Sequence, residues 1–368
     1  MSGFYQHLTD FARAGRRTAI ATVVRTQGST PQVVGAKMLV TDDETVRPIG
    51  TLGGGCVEAD AILAARDVLR GGDRTLRAYQ LTEDLAWNTG LVCGGTMWIL
   101  AERSEDALVQ DGERVDDAIA RAAAGGAPVA WVTRLRRSGR GFAFDGRIFV
   151  ESGGRVRGSL GSSDLDTRAA SQAVPQMRHG TARLVALDDD HDLLIEPIAG
   201  RPRLVVAGGG HVARAIARQA QLLDFDVTIL EDRPEFSDPA RFDGAEVIAG
   251  DIAASIASYE YGWQAYLVIA TRGHKLDADC VLAAMRTAVP YIGLLGSRRK
   301  KVLIENMLRE EGIEAARIAA LHTPVGLDLG GRTPAEIALS VMAEITAVRY
   351  QASVTGVHPH EGSKTGRA

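Results

Sequence analysis

Two of the three cysteines stand in glycine loops, an unusual setting for a thiol whose only role is packing. Cys56 follows Gly53, Gly54 and Gly55 and opens a helical pattern that runs from Val57 to Leu69. A thiol at a helix N-terminus has its thiolate stabilised by free backbone N–H groups and the helix dipole, so Cys56 is a candidate ligand contact. Glu58, in the same first turn, suits the dipole but opposes a neighbouring thiolate. Cys93 lies in Leu91-Val92-Cys93-Gly94-Gly95, ahead of an apolar strand. Neither cysteine has a C-x-x-C partner, so their spacing does not describe a zinc site. Cys280 sits in an apolar helical run and reads as a small buried hydrophobe.

A second constellation begins at Gly208-Gly209-Gly210-His211-Val212-Ala213, which matches G-x-G-x-x-[G/A]. The match is weak in a glycine-rich chain, but here it follows a strand and opens a helix, as the dinucleotide-binding loop requires. Such a loop brings backbone N–H groups to a phosphate. Glu231 and Asp232 end the next strand, where a ribose-binding carboxylate stands in these folds. Asp232 has two other readings, a pair with Arg233 or a turn cap, and the whole cleft could be vestigial. Two further loops should gather at the same sheet edge: Thr271-Arg272-Gly273-His274, and the basic run opened by Ser297 and Arg298. His211 and His274 are ligand contacts or ordinary hydrogen-bonding residues. Ser297 and Arg298 hold a phosphate at a helix start or belong to a solvated helix face.

The elements that position these residues fall into two styles. Up to about residue 200, short β-branched runs recur: Thr18 to Val24, Lys37 to Thr41, Thr96 to Leu100, Val129 to Leu135, Phe142 to Val150 and Leu193 to Ile198. They predict an N-terminal α+β domain, residues 1–200, whose middle strands are antiparallel and complete the sheet begun by the first hundred residues. No internal repeat is evident. From Arg203 the order becomes strand, glycine loop, helix, strand, which predicts a Rossmann-like doubly wound parallel sheet over 201–350. The fold class is therefore α/β with an N-terminal α+β domain. Thr333-Pro334-Ala335-Glu336 reads as a capping box opening a last helix. The tail, 351–368, is polar and aperiodic and is expected to be disordered.

Composition removes several function classes. The chain has 368 residues with 42 Lys+Arg against 46 Asp+Glu, a net charge of −4. That balance lacks the basic stripe of a nucleic-acid binder. Three cysteines cannot form a disulfide framework, so a reducing, cytoplasmic setting is the default. The first residues have no signal-peptide pattern and no stretch is apolar enough for a membrane helix.

Taken together, these segments resemble the XdhC/CoxI family, the accessory proteins of molybdenum hydroxylases such as xanthine dehydrogenase. The matching segments are Gly28-Ser29-Thr30-Pro31, Gly53 to Glu58, Cys93-Gly94-Gly95, Gly208 to Val212, Asp232 to Phe236, Thr271 to His274, Gly293 to Arg298, Gly326-Leu327-Asp328 and Thr333-Pro334. The middle of the glycine loop departs from the family pattern, with Gly209 where an alanine is common. The resemblance implies a chaperone rather than an enzyme. Such a protein binds molybdenum cofactor (molybdopterin), assists its sulfuration, and delivers it to an apo-molybdenum hydroxylase. A cysteine desulfurase or another sulfur donor would be the second partner, and a homodimer is a reasonable assembly. The Cys56 loop is then the candidate for holding the cofactor, since a soft thiolate suits molybdenum and glycine N–H groups suit the pterin phosphate. Three cysteines cannot supply even one four-cysteine iron–sulfur site, so a complete hydroxylase is excluded. Two other functions compete: an oxidoreductase with NAD(P) at Gly208 to Ala213, and a catalytically silent docking module.

Overall fold

The computed structural model describes residues 2–81, 94–139 and 141–352, and the description below is of these. Cys93 and the tail beyond residue 352, expected to be disordered, lie outside the described residues. The chain divides into two units. The first runs through Arg203 and takes in the short segments Asp224–Asp226 and Glu260–Ala265; the second starts at Leu204 and comprises the rest.

The first unit contains two five-stranded antiparallel sheets. In spatial order the first sheet is Ile49–Gly50, Lys37–Thr41, Thr18–Gln27, Thr96–Arg103 and Thr75–Gln80. Strand alternation separates its two faces. Ala19, Ala21 and Val23 meet Val57, Ala61 and Leu69 of the helix Gly55–Leu69. Ile20, from the opposite face, and Leu39 meet Trp131 and Phe149. Those two aromatics belong to the second sheet, ordered Val156–Ser159, Gly141–Glu151, Val129–Ser138, His191–Ile198 and Arg183–Ala186. Its outer face packs Ala130, Val132 and Ile148 on Ala169 and Ala173 of the helix Ser163–Gln176. The middle strands thus build their own sheet instead of extending the first. Thr18–Gln27 and Val129–Ser138 each begin with a run buried on both faces, because a helix covers one face and the partner sheet the other.

The structure also corrects the reading that the chain has no internal repeat. Both sheets have the order third, second, first, fifth, fourth strand, with a helix after the third strand. Buried charges repeat with them. Lys37, on a second strand, donates to Thr22 Oγ1 (3.0 Å) and to the carboxylate of Glu196, on the last strand of the other half. Arg147, on the other second strand, donates to Thr133 Oγ1 (2.9 Å) and to Glu102 Oε1 (2.7 Å), again on the last strand of the opposite half. Each cation, hydroxyl and carboxylate therefore has a counterpart in the matching strand. Such crossed pairs tie one sheet to the other in a single register, since a one-residue slip would turn each charge out of the interface.

The second unit is the expected parallel sheet. Its six strands are ordered Glu246–Ala249, Asp226–Glu231, Arg203–Ala207, Ala265–Ile269, Tyr291–Leu294 and Leu321–His322. Numbered along the chain from Arg203, this is 3-2-1-4-5-6, the Rossmann order. Leu204 to Ala207 are fully buried inside the sheet. The order reverses between Arg203–Ala207 and Ala265–Ile269, which opens a crevice at their carboxyl ends. No helix among the described residues is long and apolar enough to cross a membrane.

Candidate functional site

In the first unit the segments of Gly28, Gly53 and Gly95 come together. A side chain on Gly53 would strike Pro31, its Cβ lying 2.7 Å from the proline ring. A Cβ on Gly95 would run into the carbonyl of Ser29, and one on Gly28 would press on Gly95 Cα at 3.2 Å. The Gly28–Pro31 turn is thus wedged between the Gly53 loop and Gly94-Gly95, and only glycines permit that approach. Gly94 is exposed, and its N–H donates to the Leu81 carbonyl (3.0 Å). Cys93 precedes it outside the described residues.

Glu58 organises the Cys56 loop. Its Oε2 accepts from Thr51 Oγ1 (2.7 Å), Leu52 N (2.9 Å) and Gly54 N (3.0 Å). Burial pushes the Glu58 pKa up, but these three donors outweigh it and the net shift is downward. The sequence reading set Glu58 against the thiolate; the geometry turns its charge back onto the loop. What remains at the helix start are the N–H groups of Gly55, Cys56 and Val57, which by helix geometry have no acceptor within the helix. Among the described residues, nothing lies within 4 Å of a Cβ built on Gly54, the residue before the helix. Cys56 is partly exposed and carries no disulfide. Among the described residues the loop is therefore an open cradle of N–H donors with one thiol.

The second half holds a counterpart for comparison. Ser159 Oγ, Leu160 N and the Asp166 carboxylate repeat the Thr51, Leu52 and Glu58 anchor at 2.9 and 2.6 Å. Here, however, Ser162 caps its own helix through Leu165 N (3.3 Å), and Asp164 stands where Cys56 does. Of two similarly anchored loops, the Cys56 loop is the one without a side-chain cap.

In the second unit, Gly208, Gly209, Gly210 and His211 turn from strand Arg203–Ala207 into helix His211–Leu222. At Gly208 the backbone φ is +111° and a Cβ would lie 2.6 Å from the Ala270 carbonyl, so the loops after strands 1 and 4 touch there. His211 and His274 are both exposed first residues of helices whose preceding glycines, Gly210 and Gly273, provide no side-chain cap. Ser297 caps the helix Arg298–Glu310 through Lys300 N (3.3 Å), and Arg298 is exposed.

The two acids after strand 2 divide sharply. Glu231 is buried and accepts from Gly209 N (2.5 Å), Asp232 N (3.1 Å), Arg233 N (3.0 Å), Arg233 Nε (2.9 Å) and Arg233 Nη2 (3.0 Å). Its carboxylate holds the glycine loop in place. Asp232 is exposed and pairs with Arg272 (3.2 Å) rather than chiefly with Arg233 (3.9 Å). Sequence reasoning also missed Asp277. It is buried, accepts from Thr271 Oγ1 (2.5 Å) and Lys300 Nζ (2.6 Å), and so ties the Thr271 loop to the Ser297 helix.

Burial raises the Glu231 pKa, but Arg233 and the backbone donors override it and bring the group from 4.5 to about 2. A folded pKa below the unfolded one adds stability above about pH 4.5, lost as pH falls towards 2. Urea unfolding at pH 6 and pH 3 should therefore show Glu231→Gln losing less stability on acidification than the parent. Equal acid losses in the two proteins would contradict the assignment.

Cys280 is fully buried, and burial first, then nearby acids, pushes its thiol up to about 12, which fits the packing role. Among the described residues no group of three or more His, Cys, Asp or Glu could hold a metal ion.

A family model described as "XdhC and CoxI family" matches residues 11–80, and one described as "XdhC Rossmann domain" matches residues 204–345. Together they take in more than half of the chain. An uncharacterized protein of Escherichia coli, YqeB, is 31% identical over 222 residues, 56% of this chain and 41% of that protein; the match spans less than half of YqeB. A protein of Bacillus subtilis described as a probable xanthine dehydrogenase subunit is 27% identical over 96% of this chain and 100% of its own length. The molybdenum cofactor insertion chaperone PaoD of Escherichia coli is 24% identical over 91% of this chain and 85% of its own. A solved structure described as a xanthine dehydrogenase from Bacillus halodurans superimposes with a TM-score of 0.66 at 21% identity, covering 96% and 98% of the two chains; it supports the fold.

Proposed function

Because the chain belongs to the XdhC and CoxI family, we propose that it is a cytoplasmic accessory protein that binds molybdenum cofactor, assists its sulfuration and inserts it into a xanthine dehydrogenase-type hydroxylase. The observation that carries this reading is the open Cys56 cradle, left uncapped and held from behind by Glu58. Its donor set suits the cofactor: a soft sulfur for molybdenum and free N–H groups for the pterin phosphate. The likeness to the chaperone PaoD over most of both chains supports the same role. Once bound, the cofactor supplies the metal centre and its exchangeable terminal ligand.

The chain's own residues do the holding. Gly55, Cys56 and Val57 present N–H groups, Cys56 presents its thiol, and the Gly28 turn with Gly94-Gly95 walls the loop. Cys93 is proposed as a secondary contact. In the Rossmann unit, Gly208, Gly209, Gly210, His211, His274, Ser297 and Arg298 are proposed to receive a phosphate-bearing part of a ligand. Glu231 takes part by fixing Gly209, and Asp232 by offering an exchangeable carboxylate. The apo-hydroxylase and a sulfur donor are the partners this role requires, and a homodimer is the proposed assembly.

Anaerobic purification from a cofactor-making host tests the proposal. The protein should carry molybdenum together with pterin. Recovery of bound NAD(P) without molybdenum would replace this reading with that of an oxidoreductase using the Rossmann crevice. Recovery of neither would favour a docking module.

A further inference from the structure

We infer that the Arg272–Asp232 pair is a strap across the Rossmann crevice. It opens when a ligand phosphate takes Arg272, leaving Asp232 free to accept from a ligand hydroxyl. This rests on the reading that the crevice receives a phosphate-bearing group.

The pair joins the loop after strand Asp226–Glu231 to the loop after strand Ala265–Ile269. Those strands flank Arg203–Ala207 in the sheet, so the pair bridges the carboxyl end of the strand that carries the glycine loop. Contacts below the bridge agree. Arg272 Nη1 is 3.8 Å from Glu231 Oε1, and the other oxygen of that carboxylate accepts from Gly209 N. The guanidinium thus hangs beside the loop whose N–H groups would meet a phosphate.

The neighbouring acids show why this pair and not the other would open. Glu231 is fully buried and its carboxylate accepts five hydrogen bonds, so releasing it would leave a buried charge. Asp232 and Arg272 keep 32% and 52% of their side chains exposed, with bonds of 3.2 and 3.3 Å. An exposed pair of this kind is weak, whereas a guanidinium binds phosphate through two parallel N–H bonds. A phosphate entering between two uncapped helix starts, at His211 and His274, also gains their positive ends. The exchange swaps one anion for a more highly charged one and frees the carboxylate beside it. The ligand class is therefore a phosphate or diphosphate carrying a nearby sugar hydroxyl, a nucleoside diphosphate being the simplest case.

Isothermal titration calorimetry of the full chain with inorganic pyrophosphate and with ADP separates the possibilities, with circular dichroism as the folding control. Asp232→Asn removes the competitor for Arg272, so pyrophosphate should bind about 2–5-fold more tightly than to the parent, the range an exposed ion pair commands. ADP should gain less than pyrophosphate, because the hydroxyl acceptor is weakened. Arg272→Ala should weaken both probes about tenfold or more, as loss of a charge-assisted bond does. Unchanged or weaker pyrophosphate binding by folded Asp232→Asn overturns the strap, as does full affinity in Arg272→Ala. If neither probe binds the parent or Asp232→Asn, the crevice reading falls and takes the strap with it. Molybdenum occupancy at Cys56 plays no part in these readouts.

Discussion

Cys56→Ser is expected to purify as a folded protein that has lost most of its molybdenum. The substitution keeps the size of the side chain and removes the soft donor. The loop does not depend on the thiol for its shape, because Glu58 anchors Thr51, Leu52 and Gly54 from the other side. A serine hydroxyl does not ionise near neutral pH, whereas a thiol at a helix start does so readily, so the variant lacks an anionic donor. With a single protein thiol in the loop, we expect occupancy to fall about tenfold, the scale at which a ligand-shell change is felt. Cys93→Ser should cost less, and Cys280→Ser nothing, since that thiol is buried in the second unit's core. The measurement is molybdenum content of the three variants beside the parent, purified anaerobically, with circular dichroism to confirm folding. Full occupancy in folded Cys56→Ser would move the binding site away from this loop.

Lys37→Met should be strongly destabilising, more so than Arg147→Met. Lys37 and Glu196 keep only 4% and 2% of their side chains exposed. Removing the ammonium leaves the Glu196 carboxylate buried without its ion-pair partner, which costs about 3–5 kcal/mol. Arg147→Met should cost less, because Glu102 retains Arg74 at 2.9 Å. Replacing the whole pair, as Lys37→Met with Glu196→Leu, should recover much of the loss, since a well-packed apolar pair often equals a buried ionic one. Urea unfolding of the three variants checks this order. If Lys37→Met were no less stable than Arg147→Met, the pair would not be holding the two sheets as the geometry requires.

Most strands of both units were legible because β-branched runs such as Thr18 to Val24 and Leu204 to Ala207 are buried on both faces. The Rossmann order was legible because glycine loops and helices alternate with those runs. Weaker elements were not: the strand Thr75–Gln80 is half exposed, and Glu246–Ala249 is short and polar at its start. Their pairing, not their composition, makes them strands. The Thr51 to Glu58 anchor is echoed by Ser159 to Asp166, but Gly54-Gly55-Cys56 corresponds to Ser162-Ser163-Asp164, too few shared residues to reveal a repeat.

The sequence by itself determined the α/β class, the parallel sheet and the glycine loops, because local spacing carries each of them. Only the tertiary structure decided that the N-terminal strands form two matched sheets. The reason is that Lys37 finds Glu196, and Arg147 finds Glu102, across a long stretch of chain. It likewise decided between the adjacent acids Glu231 and Asp232. Alternation turns one inward onto Gly209 and leaves the other at the surface with Arg272, a difference in burial that spacing along the chain does not encode.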